Sequence, residues 1–77
     1  MMADEKKVLR LLKTARGQMD GIIKMVEENR YCIDISQQLM ATEAILNRAN
    51  KEILAAHLKH CVQEAASEEE RSQKIDE

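Results

Sequence analysis

The run from Cys32 to Cys61 contains neither glycine nor proline. Good helix formers fill it, so the sequence predicts one long unbroken helix. His57 and Cys61 are four residues apart and therefore share a face of that helix. Cys32 lies 25 residues before His57, which on a straight helix is a separation of about 37 Å. One chain cannot bring Cys32 to the His57/Cys61 pair. Two chains lying antiparallel can, if their helices cross near Ile45 and Leu46, midway between the three positions. A two-fold axis there makes two equal sites, each with Cys32 from one subunit and His57 plus Cys61 from the other.

A first helix is expected ahead of the long one, from an N-cap at Asp4 to about Glu28. Its apolar stripe reads Val8, Leu12, Ala15, Met19, Ile22 and Val26, widened by Leu9 and Ile23. Gly17 and Gly21 form a G-x-x-x-G pair inside it; a close-packing partner helix and a tolerated weak spot are both open readings. Asn29 suits a helix C-cap or tight turn, and the two helices should fold as an antiparallel hairpin. The second stripe is Ile35, Leu39, Thr42, Leu46, Ala49, Ile53 and Ala56. Ser67 with Glu70 matches a capping box, which predicts a short third helix at the C-terminal end. The fold class is thus all-α: a three-helix subunit within one domain spanning 1–77. With 77 residues, one Tyr, and no Phe or Trp, its core is marginal and oligomerisation is the expected remedy.

The charged start Met1–Lys7 is not read as a secretory leader, and no apolar run reaches membrane-spanning length. A soluble, cytoplasmic protein with no membrane partner is expected, and two cysteines in that setting point away from a disulfide. They are buried thiols, a redox pair across the interface, or metal ligands. Two thiolates and an imidazole suit a soft metal, and three such ligands suit Cu(I). His60 is a rival imidazole, but its angle differs from that of Cys61, so His57 is preferred. Tyr31 packs at the turn or hydrogen-bonds the ligand histidine.

The net charge is −2, yet Lys6 to Lys24 holds six cations and one acid, while Val62 to Glu77 holds six acids and two cations. Arg48 and Lys51 add positive charge to the second helix. A solvated face is the ordinary reading; repeated by symmetry, the same cations make a surface suited to phosphates. No Ser/His/Asp set, phosphate loop or paired carboxylates indicate an enzyme.

The runs Leu11–Ile22, Met25-Val26-Glu27, Tyr31–Ile35, Gln38–Ala41, Arg48-Ala49-Asn50 and His57–Cys61 resemble the CsoR/RcnR family of bacterial metal-sensing repressors. The resemblance covers nearly the whole chain. It implies an antiparallel homodimer, a dimer of dimers (a homotetramer), and a metal-free form that binds operator double-stranded DNA and is released by metal. It implies Cys32, His57 and Cys61 as Cu(I) ligands, with Tyr31 and Glu77 behind the histidine. It implies Lys13, Arg16 and Arg48, with Arg10 and Lys51, as DNA contacts; Leu11 stands where the family has a cation. Nickel and cobalt sensors have a histidine in place of Cys61, formaldehyde sensors an N-terminal proline, and persulfide sensors no histidine, so each departure favours copper. The alternatives are a thiol, persulfide or other-metal sensor of the same fold, and a helical scaffold with no ligand.

Overall fold

The computed structural model describes the backbone of residues 1–76 and the side chains as far as Glu64. It is all-α: α1 spans Glu5–Glu27 and α2 spans Cys32–Asp76. Asp4 caps α1, its Oδ1 accepting from the backbone N–H groups of Lys6 (3.0 Å) and Lys7 (3.3 Å). These are donors that the first helical turn leaves without partners. At the other end Asn29 adopts φ 55. The Asn29 N–H donates to the Val26 carbonyl and the Arg30 N–H to the Met25 carbonyl, each at 3.0 Å. This is a Schellman closure with asparagine in the left-handed position that glycine more often takes. The Ile35 N–H then donates to the Tyr31 carbonyl at 3.2 Å, opening α2 immediately after the turn.

The helices lie antiparallel, and two polar contacts between them mark the register. Lys7 Nζ is 2.7 Å from Glu52 Oε1, and the Thr42 hydroxyl donates to Gln18 Oε1 at 2.8 Å. Thr42 is 2% exposed; its hydroxyl also lies 3.2 Å from the Gln38 carbonyl, so its single proton is shared. On this register the start of α1 comes opposite the neighbourhood of Leu54. Everything in α2 beyond that point projects past the hairpin.

The face of α1 that packs on α2 is Val8, Leu11, Ala15 and Ile22, all buried. This corrects the expected stripe: Leu11 is 8% exposed, whereas Leu12 and Met19 are 41% and 43% exposed. Leu9, Leu11 and Leu12 surround the helix, so two apolar stripes are available, and α2 takes only one. Val26 and Ile23 stay exposed with the second. On α2, Thr42 and Ala49 are buried as expected, while Leu39 and Leu46 face out. Among the described residues, no atom of α2 lies within 4 Å of a Cβ built on Gly17 or Gly21, so neither serves close packing between the two helices.

The third helix expected from Ser67 is not a separate element, because α2 continues to Asp76. A run of Ala, Glu, Gln, Arg and Lys propagates a helix already under way. Nothing in a lone hairpin imposes the non-helical backbone that a cap at Ser67 requires.

The shape is a plank of 70 × 22 × 12 Å with a radius of gyration of 20.2 Å, where a compact domain of this length has about 11–12 Å. Its accessible surface is 6409 Å², against about 4,800 Å² for a compact monomer of this mass. The excess, roughly 1,600 Å² on one subunit, is about twice what a standard protein–protein interface removes from each partner.

The strain-free fit of Asn29 is testable. Asn29→Ala should cost about 1 kcal/mol in urea unfolding, because alanine resists positive φ, while Asn29→Gly should stay within a few tenths.

Candidate metal centre and charged faces

His57 Nε2 and Cys61 Sγ are 3.4 Å apart on adjacent turns of α2. Both residues are exposed and lie in the part of α2 that projects past α1. Two donors on one metal, at about 2.0 Å for nitrogen and 2.3 Å for sulfur, stand roughly 3.5 Å apart at a tetrahedral angle. The pair therefore already has the spacing of two ligands of one ion. Cys32 is the first residue of α2, exposed, at the opposite end of the hairpin. The structure thus brings His57 and Cys61 together and leaves Cys32 apart. Among the described residues, no three His, Cys, Asp or Glu side chains of this chain gather into a metal-holding group.

His60, the rival imidazole, is engaged elsewhere: its Nε2 is 2.8 Å from Glu64 Oε1. The i, i+4 spacing of the two residues is the sequence signal for that pair. Tyr31 is exposed at the turn beside Cys32. Glu77 lies outside the described residues.

Helical periodicity relates these positions to the packing. Cys32, His57 and Cys61 lie a quarter-turn or so round α2 from the buried Thr42–Ala49 line, on the flank that carries the exposed Leu39, Leu46 and Leu54. The exposed Leu9, Leu12, Met19 and Ile23 sit at a similar offset on α1. Because both helices are right-handed and they run antiparallel, equal offsets turn to the same broad side of the hairpin. One broad side thus carries the exposed leucines, interrupted by Arg16, Glu43 and Asn50, with a thiol at one end and an imidazole–thiol pair at the other.

The opposite broad side is polar and carries Arg10 and Arg48. Lys13 falls on the outer edge of α1 and Lys51 on the outer edge of α2, while Arg16 leans toward the apolar side. All five are exposed. Lys6, Leu9, Arg10, Lys13 and Thr14 line a shallow open groove along α1. Leu11 is buried against α2, so it adds nothing to this surface. Sequence reasoning missed the Lys7–Glu52 contact because it joins two helices, and no spacing within either one signals it.

Residues 4–77 match the family described as metal-sensitive transcriptional repressor. The chain belongs to that family. It is 43% identical over 77 residues to the copper-sensing transcriptional repressor CsoR of Mycobacterium ulcerans, covering 99% of this chain and 66% of that protein. It is 41% identical over 61 residues to the CsoR of Mycobacterium tuberculosis, covering 79% of this chain and 51% of that protein. The chain thus spans about half to two thirds of the length of these relatives. The crystal structure of the copper-sensing repressor CsoR with Cu(I) from Geobacillus thermodenitrificans superposes with a TM-score of 0.75 at 40% identity, covering 91% of this chain and 73% of that one. This is a family of transcriptional repressors, not of enzymes. Among the described residues, no helix is long and apolar enough to cross a membrane.

Proposed function

We propose that this protein is a copper(I)-responsive transcriptional repressor of the cytoplasm, whose metal-free form binds operator DNA. The observation that carries the reading is the 3.4 Å His57–Cys61 pair at one end of an apolar face that has Cys32 at the other. Relatives named as copper-sensing repressors support the choice of metal. The 1–77 chain acts as one metal-sensing, DNA-binding domain.

The proposed unit is an antiparallel homodimer, paired through the apolar broad side near Ile45 and Leu46. Two such dimers form a homotetramer. In the assembly the segment from Ser67 breaks away as a short third helix, since a partner surface then exists for it to cover. Each dimer has two sites, formed by Cys32 of one subunit and His57 and Cys61 of the other. Cu(I) supplies a soft centre that accepts three ligands of this kind. Tyr31, next to Cys32, and Glu77 hold the orientation of the His57 ring and its tautomer.

Closing the three ligands ties the turn end of one hairpin to the projecting end of its neighbour. The Glu28–Tyr31 turn and the His57–Cys61 turn of α2 are drawn together across the dimer. The cations Arg10, Lys13, Arg16, Arg48 and Lys51 are carried on these same rods, so their spacing across the assembly changes and no longer matches the duplex. A coupling of about 1–3 kcal/mol is usual for such linked equilibria and corresponds to a 5- to 150-fold loss of DNA affinity.

Operator binding measured with and without one Cu(I) per subunit tests the reading, and equal affinities in the two states would refute it. X-ray absorption at that loading should show two sulfur neighbours and one nitrogen neighbour. His57→Ala should abolish the copper response; a thiol switch built on Cys32 and Cys61 alone would survive it. Mixing Cys32→Ser chains with Cys61→Ser chains should restore one Cu(I) site per mixed dimer where each variant alone has none. A site within one chain gives no such rescue. Leu46→Glu, placed at the proposed two-fold, should weaken self-association at least tenfold in sedimentation equilibrium.

A further inference from the structure

Lys7 stands apart from the neighbouring cations of α1. Among the described residues, Lys6, Arg10, Lys13 and Arg16 have no carboxylate at salt-bridge distance, whereas Lys7 Nζ is 2.7 Å from Glu52 Oε1. The partner comes from α2, although α1 has acids of its own in Glu5, Asp20 and Glu27. By helical periodicity the pair lies on the polar broad side, with Arg10, Thr14 and Arg48. The two side chains are 42% and 38% exposed, so water and a phosphate group both reach them. An exposed ion pair of this kind exchanges readily with outside anions.

We infer that Glu52 is an internal competitor for nucleic-acid phosphate: it occupies Lys7 and withholds one cation per subunit from the polar broad side that carries Arg10 and Arg48. The inference rests on the proposed DNA binding and adds a residue that limits it. A carboxylate and a phosphate oxygen compete for the same ammonium. For Lys7 to hold a phosphate, its bond to Glu52 must break, and the released carboxylate is left facing the phosphate. That contact brings little net gain, so the folded chain presents fewer effective cations than its sequence contains. Counterions released by phosphate contacts set the salt dependence of DNA binding, so Glu52 lowers both the affinity and its dependence on salt. Binding to unrelated sequence, which is almost wholly electrostatic, is the part most reduced.

The test uses the full chain and a mixed-sequence DNA duplex, with affinity read by fluorescence anisotropy between 50 and 200 mM salt. Glu52→Gln should bind more tightly at low salt. Its slope of log affinity against log salt should steepen by about 0.9 for each subunit whose Lys7 meets a phosphate, a roughly threefold larger loss of affinity over that salt range. Lys7→Gln alone should leave the slope near that of the parent, and Lys7→Gln combined with Glu52→Gln should return to it. A duplex bound with the same slope by parent and Glu52→Gln would overturn the role of Glu52 and leave the DNA reading standing. A steeper slope that persists undiminished in the double variant would also overturn it, because the removed charge would then act without Lys7. A parent chain that binds neither this duplex nor operator DNA at 50 mM salt would remove the DNA reading and this inference together.

Discussion

An α-helix is stiff along its axis, and everything proposed for this protein follows from how far apart α2 holds its ends. Each residue's N–H is bonded to the carbonyl four back, so the rod cannot fold on itself without losing several hydrogen bonds at once. No proline or glycine interrupts α2 to offer a hinge. A thiol at its first residue and an imidazole–thiol pair far along it therefore cannot meet inside one subunit. The proposed three-donor site therefore takes two copies of the chain.

The hairpin supplies the surface for that copy. Two helices packed along one line of contact bury a single stripe each, here Val8, Leu11, Ala15 and Ile22 against Thr42 and Ala49. The remaining apolar side chains, among them Leu12, Met19, Leu39 and Leu46, stay 39–45% exposed. A plank this thin has no interior to hold them, and the proposed dimer would cover them. The same geometry segregates chemistry. The donors go with the leftover apolar side, and Arg10 and Arg48 go with the other. In the proposed mechanism the rods themselves link the metal sites to the cations.

The register of this hairpin comes from the buried stripe, Val8, Leu11, Ala15 and Ile22 against Thr42 and Ala49. The Thr42 hydroxyl can bond its own Gln38 carbonyl in any register and reaches Gln18 only in this one. The exposed Lys7–Glu52 pair spans the helices in the same register. That register determines how much of α2 projects beyond α1, and hence that His57 and Cys61 stand clear of their own subunit.

Read alone, the sequence determines the elements. Asp4 and Asn29 mark the ends of α1 with side chains that satisfy stranded backbone groups or tolerate positive φ. The uninterrupted run after Tyr31 makes α2 a single rod, and the i, i+4 spacing places His57 beside Cys61. These are local consequences of backbone chemistry and need no partner. The tertiary structure decides the rest: which of two apolar stripes on α1 is buried, that Leu11 and not Leu12 faces α2, and that Lys7 meets Glu52. Periodicity lists the faces a helix has to offer. Choosing among them takes the side chains of the second helix, which is why that choice cannot be seen in either helix by itself.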